Sequence, residues 1–131
     1  MDKRNRTVLI VDDDVDFSSQ MKIFLESDGY DVVSFNTSAE AESYFASNRP
    51  DIAIFDLMIE HYDSGFVLGY HIKKKYPDVP VIIATGVANE TGYKFTGDEG
   101  GRSSWTQADL VMDKGIRPDQ LLGEVRRLLK I

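Results

Sequence analysis

Three stretches of the chain, Thr7-Val8-Leu9-Ile10-Val11, Ile52-Ala53-Ile54-Phe55 and Val79-Pro80-Val81-Ile82-Ile83-Ala84, are apolar almost without a break. A strand with one wet face alternates polar and apolar residues, whereas these runs suit strands buried on both faces. Two shorter, more mixed runs, Asp31-Val32-Val33-Ser34-Phe35 and Asp109-Leu110-Val111-Met112, read as flanking strands. Amphipathic segments separate the five. That alternation is the pattern of a parallel sheet covered by helices.

The helices announce themselves by periodicity and by their ends. From Val15 to Asp28, the residues Val15, Met21, Phe24 and Leu25 are expected on one apolar face, with Gly29 as the stop. Thr37 followed by Glu40 reads as a capping box for a helix that buries Ala41, Tyr44 and Phe45 and ends near Arg49-Pro50. Phe66, Leu68, Ile72 and Tyr76 belong to a third helix, closed by Pro77. Pro118 opens the last one, where Leu121, Leu122, Val125, Leu128 and Leu129 recur at helical spacing. Full burial of those five side chains supplies about 7–15 kcal/mol before conformational entropy is subtracted. Five right-handed βα units give an open doubly wound sheet with its crevice at the carboxyl ends of the strands.

One slot breaks the pattern. Between Gly86 and Asp109 a helix is expected, yet five of the ten glycines fall between Gly86 and Gly101, and Thr96 to Trp105 reads T-G-D-E-G-G-R-S-S-W. Each glycine costs a helix interior about 1 kcal/mol relative to Ala. A short helix or mobile loop is expected, anchored by Trp105, Tyr93 or Phe95. A P-loop is excluded, since G-x-x-x-x-G-K-[ST] is missing and Asp98 and Glu99 repel phosphate.

Composition narrows the function. The 131 residues suit one domain, 1–131, and the absence of cysteine excludes disulfides, thiolate metal sites and Cys nucleophiles. A net charge of −7 argues against nucleic acid as a partner; Lys73-Lys74-Lys75, the best basic cluster, reads as a solvated helix face. No apolar run is long enough for a membrane span, and no secretory signal opens the chain, so a cytoplasmic protein with no membrane partner is expected.

Chemistry concentrates at the strand ends: Asp12-Asp13-Asp14 after the first, Asp56 after the third, Thr85 after the fourth, Asp113-Lys114 after the fifth. Carboxylates gathered on one edge must be neutralised by a cation or carry protons. A hard divalent ion with oxygen ligands, Mg²⁺, suits them. Lys114 and Thr85 are then placed to hold oxygens of a transferred phosphoryl group, leaving Asp56 as nucleophile. Other readings are weaker. Asp14 suits a helix cap; an EF-hand loop fails because Phe17 and Ile23 replace its glycine and glutamate; a D-x-D hydrolase lacks the expected Thr or Val at Asp16. His61 and His71 have no partner that the sequence identifies.

The runs L-I-V-D-D-D, I-A-I-F-D-L-M, V-I-I-A-T-G and L-V-M-D-K resemble the receiver domain of two-component response regulators, a CheY-like superfamily, over nearly the whole chain. The resemblance implies a flavodoxin-like (βα)5 three-layer sandwich with a parallel sheet of order 2-1-3-4-5. It also implies phosphoryl transfer from a histidine kinase or histidine phosphotransfer protein to Asp56. By motif position Asp12 and Asp13 form the acidic pair, the Met58 backbone carbonyl is a Mg²⁺ ligand, Thr85 is the switch hydroxyl and Lys114 the site lysine. Such a protein is not an enzyme on outside substrates; it transfers and hydrolyses only its own phosphoryl group. The chain stops one helix after the lysine, so a stand-alone receiver without effector domain is expected, with output to an unknown downstream protein.

Several positions depart from the family pattern. Ile59-Glu60-His61-Tyr62-Asp63-Ser64-Gly65 replaces M-P-x-M-D-G and is one residue longer; Gly115 replaces the proline after the lysine, so a trans Lys114–Gly115 bond is expected. Val111 stands where an aromatic switch residue is common. Thr85, Val111, Gly97 and Trp105 are therefore the candidate switch and output positions, with an order change in the Gly-rich segment replacing the aromatic. The alternative is a pseudo-receiver, an interaction module that works without phosphorylation.

Overall fold

The computed structural model describes residues 6–59, 64–86 and 108–131. Among these, five strands and four helices follow one another as β1 (Thr7–Val11), α1 (Val15–Ser27), β2 (Asp31–Phe35), α2 (Ser38–Ser47), β3 (Ile52–Asp56), α3 (Ser64–Lys75), β4 (Val81–Thr85), β5 (Leu110–Asp113) and α4 (Pro118–Leu129). All the pairings are parallel, in the order β2-β1-β3-β4-β5. The sheet order matches the expected flavodoxin-like architecture. Gly97, Trp105 and the rest of the Gly-rich stretch lie outside the described residues, as do Glu60 and His61.

Side-chain alternation along the strands explains why both faces are apolar. Leu9, Val11, Ala53, Phe55, Val81 and Ile83 pack against Ala41 and Phe45 of α2 and Phe66, Leu68 and Ile72 of α3. Their sequence neighbours Val8, Ile10, Ile52, Ile54, Ile82 and Ala84 point the other way, onto Met21 and Leu25 of α1 and Leu121 and Val125 of α4. Three layers result. The continuous apolar runs were the trace of this double coverage.

Helix ends follow the expected chemistry. Asp14 caps α1 by accepting the Phe17 N–H at 3.2 Å, and Gly29 closes it with φ 97. At α2, Thr37 Oγ1 accepts from Glu40 N at 3.2 Å while Glu40 Oε1 accepts from Asn36 N at 3.3 Å. The reciprocal bond reaches one residue further back than in the usual capping box.

Three expectations need correction. Val15 is 57% exposed, because α1 buries Ser18, Met21 and Leu25 instead. At 3.6 residues per turn Val15 stands about 120° from Met21, off the buried face. In α4 only Leu121 and Val125 are fully buried, Leu122, Leu128 and Leu129 being half-buried, so the helix falls short of the full burial of five side chains. The Lys73 to Lys75 cluster is not uniformly solvated: the Lys73 side chain is 11% exposed and pairs with Asp109 Oδ2 at 2.8 Å. No helix among the described residues is long and apolar enough to cross a membrane.

Candidate functional site

Parallel strands deliver Asp12, Asp56, Thr85 and Asp113-Lys114 to one edge. Register sets the spacing: Val11 lies beside Phe55, Asp56 beside Ala84 and Thr85 beside Asp113. Asp12, Asp56 and Thr85 are buried polar residues, each less than a tenth exposed, while Asp13 faces solvent. One carboxylate oxygen from each of Asp12, Asp13 and Asp56 lies within 4.8 Å of the others.

Backbone contacts hold this edge in place. Asp12 N donates to Phe35 O at 3.1 Å, Leu57 N to Ala84 O at 2.9 Å and Lys114 N to Thr85 O at 3.0 Å. The loop after Asp56 is returned by Gly65, whose N–H donates to Leu57 O at 2.8 Å. A Cβ on Gly65 would lie 2.5 Å from the Asp56 carbonyl oxygen and 2.8 Å from Leu57 Cα, so only glycine fits without moving backbone. After β5, Asp113 Oδ1 accepts from Gly115 N at 2.8 Å, forming an Asx turn around Lys114. The Lys114–Gly115 bond is trans, as expected.

Lys114 is the electrostatic centre. Its ammonium lies 3.0 Å from Asp12 Oδ2, 3.3 Å from Asp12 Oδ1 and 3.3 Å from Asp56 Oδ1, and 4.8 Å above the Phe17 ring centroid. The sequence placed this ammonium as a phosphoryl ligand only; here it bridges two carboxylates. Asp12 Oδ1 also accepts Asp14 N at 2.8 Å. Its partner Oδ2 is buried and close enough to the ammonium for charge attraction, yet receives no aligned hydrogen bond. Burial is costly for a charge with incomplete partners.

The titration shifts follow. Burial, then the Asp12 charge, pushes the Asp56 carboxyl up to about 6, against the Lys114 charge and the Met58 backbone hydrogen bond. Burial likewise raises Asp12, opposed chiefly by the Asp14 N–H and by Lys114. For Lys114, burial works to lower the ammonium, but Asp12 and then Asp56 together outweigh it and hold its pKa above the ordinary lysine value.

Oxygen-only donors, a carboxylate triad and an under-bonded buried Asp12 Oδ2 form a set that fits a hard divalent cation. Met58 follows the acceptor strand closely, and its side chain is 44% exposed. Thr85 sits at the β4 terminus, 1% exposed. Val111 is half-buried against the α2/α3 core cluster. His71 pairs with Glu42 across α2 and α3. Phe17 is a contributor that the sequence did not single out for the site, and Gly65 and Asp113, named there only as a loop end and a strand end, gain the roles of close approach and turn acceptor. Asp113 precedes Lys114 and Gly65 closes the loop after the acceptor strand, and those were the available signals; Phe17 gave none beyond lying in the first helical turn after the acidic run.

A doubly wound sheet of order 2-1-3-4-5 with acidic groups and a lysine gathered at its carboxyl edge defines a CheY-like receiver fold. The chain matches the response regulator receiver domain over residues 8–126 and belongs to that family. It is 32% identical to the probable transcriptional regulator ycf27 of Guillardia theta, over 94% of this chain and 45% of that protein. Identity to the DNA-binding dual master transcriptional regulator RpaA of Synechocystis is 29%, covering 94% of this chain and 48% of that one. Among solved structures, the Chloroflexus aurantiacus response regulator superposes with TM-score 0.80 at 25% identity, covering 96% of this chain and 98% of the other. TrrA from Thermotoga maritima, solved with Mg(2+)-BeF, gives 0.76 at 26%, over 94% and 98%. The chain spans about half the length of these curated relatives. With one relative named DNA-binding, the expectation of no nucleic-acid partner has no support.

Proposed function

We propose that Asp56 is the phosphoacceptor of a two-component relay, charged by a histidine kinase or histidine phosphotransfer protein, with output through protein contacts. The observation that supports this most is the Lys114 ammonium 3.3 Å from Asp56 Oδ1, beside the buried Asp12 Oδ2 that has no aligned donor. An Asp56 carboxylate oxygen attacks the phosphorus of the donor, an O–P bond forms, and the P–N bond breaks with its electron pair staying on the nitrogen, so that a donor ring already protonated at its other nitrogen leaves as neutral imidazole. With its pKa near 6, Asp56 is mostly ionised at neutral pH and able to attack. Asp13, Asp56 and the Met58 carbonyl, with Asp12 behind them, are the residues that would hold Mg²⁺. Bound there, the ion offsets negative charge on the transferring oxygens.

Lys114 already reaches Asp12 and Asp56 together, so it can exchange an Asp12 oxygen for a phosphoryl oxygen without leaving the acceptor. Thr85 supplies a hydroxyl at the adjoining strand end for another oxygen. The phosphoryl group carries about −1.5 to −2 at pH 7 in place of the carboxylate's single charge, and the net gain of about −0.5 to −1, displaced outward onto new acceptor oxygens, biases the surface around the edge. Intact mass after incubation with phosphoramidate and Mg²⁺ tests the proposal: the wild type gains one labile phosphoryl group and Asp56→Asn gains none. Absence of an adduct, also with phosphohistidine donors, leaves the interaction-module reading in its place.

A further inference from the structure

A lysine carries its charge on a flexible four-carbon stem, so a fixed backbone does not by itself fix the ammonium. Lys114 N is tied to Thr85 O, and the Asp113–Gly115 turn shapes the chain on either side, but those ties hold the backbone and leave the ammonium to be placed by what it meets. Three of the ammonium's close neighbours are carboxylate oxygens of Asp12 and Asp56. The fourth is different. The face of Phe17 lies 4.8 Å from Nζ, within the range where a ring quadrupole attracts a cation.

The placement of that ring is itself determined locally. Phe17 stands in the first turn of α1, and its N–H is held by the cap residue Asp14 at 3.2 Å. Asp14 N in turn donates to Asp12 Oδ1 at 2.8 Å, so one short chain of bonds links the acidic pair to the ring. Core packing alone does not call for an aromatic here, because Phe17 is half-buried at the margin of the α1/α4 cluster. Beside it lies a cavity of about 160 Å³, lined by Phe17, Phe24, Ile116 and Leu121 and reaching Lys114. A smaller side chain would enlarge that space toward the ammonium and admit water, while an aliphatic one would fill volume but offer no π face.

We propose that Phe17 is a positioning residue for Lys114: its ring holds the ammonium at the acceptor edge, and it acts on phosphoryl transfer only through that lysine. The inference rests on the acceptor reading of Asp56. The ring is expected to retain Lys114 during the reaction while the ammonium exchanges an Asp12 oxygen for a phosphoryl oxygen.

A double-mutant cycle separates positioning from bulk packing. Rates of phosphorylation by phosphoramidate with Mg²⁺ are measured for the wild type, Phe17→Leu, Lys114→Met and the double variant, with Phe17→Trp as the conservative rescue. Leucine keeps an apolar side chain at this position and so a folded chain. Phe17→Leu is expected to slow transfer by about three- to tenfold when Lys114 is present, to change nothing in the Lys114→Met background, and to be reversed by Phe17→Trp. Equal rates for the wild type and Phe17→Leu, or the same slowing with and without Lys114, would overturn the proposal. The identical cycle in urea unfolding needs no phosphoryl chemistry: coupling between positions 17 and 114 is expected, and additivity contradicts the contact. A wild type that accepts no phosphoryl group, with coupling intact in unfolding, removes the acceptor reading and with it the catalytic part of the role.

Discussion

The two edges of the sheet use the same residue types to opposite ends. At the amino edge Asp51 Oδ2 accepts from Thr7 N at 2.7 Å, and Asp109 Oδ2 accepts from Val81 N at 2.8 Å while pairing with Lys73 at 2.8 Å. Each of those carboxylates joins neighbouring strands and is matched by a donor. At the carboxyl edge Asp12 Oδ2 is buried without an aligned donor, and Asp12 and Asp56 share one ammonium. Burial with full partners stabilises a fold, whereas burial with too few stores unfavourable charge that a cation can relieve. The contrast separates carboxylates that fasten the sheet from carboxylates that the fold buries short of partners.

The largest break in this comparison is expected where the working edge meets the backbone. Gly65→Ala drives a Cβ into the Asp56 carbonyl and Leu57 Cα, and should lose about 3 kcal/mol in urea unfolding, since neither neighbour is a flexible side chain. At the fastening edge, Asp109→Ala removes the acceptor of Val81 N and the ion-pair partner of the largely buried Lys73, for a loss of about 2 kcal/mol by the same measurement. A loss there of only about a tenth of that would erase the distinction between the edges.

Asp56→Asn should go the other way, gaining about 1–2 kcal/mol without added cation once solvent screening is discounted. The sign follows from the shift: the carboxyl is raised in the fold, so its contribution is fully present below its unfolded pKa and is lost as pH rises through about 6. Unfolding free energies of wild type and Asp56→Asn should therefore converge near the ordinary carboxylate pKa of about 4 and separate toward neutral pH. The smallest effect is expected at Asp113→Ala, which removes the acceptor for Gly115 N from an exposed turn and should cost about 0.5–1 kcal/mol. Its larger consequence should be slower phosphoramidate uptake through a less restrained Lys114.

Much of this was legible in the residues. Continuous apolar runs at Val8–Val11 and Ile82–Ala84 required coverage on both faces, and the caps at Asp14 and Thr37 are local chemistry that the chain states directly. Asp12, Asp56, Thr85 and Lys114 were legible because parallel strands bring their ends together whatever the sequence distance. Phe17 was not, since its ring and Lys114 stand near opposite ends of the chain and only the packing of α1 beside α4, on one face of the sheet, brings them together. Lys73 and Asp109 were hidden for a similar reason: a lysine run on a helix looks the same whether solvated or paired across to a strand end. Val15 misled because apolar identity was counted without regard to its place on the helical wheel.

The location of the phosphoryl group is the most direct test of a working edge centred on Asp56. Treatment with phosphoramidate and Mg²⁺, borohydride reduction of the acyl phosphate and peptide mass mapping should find homoserine in place of Asp56 in the wild type, and no homoserine in Asp56→Asn. Homoserine in place of Asp12 or Asp13, or an unreduced chain with every donor, would contradict the account.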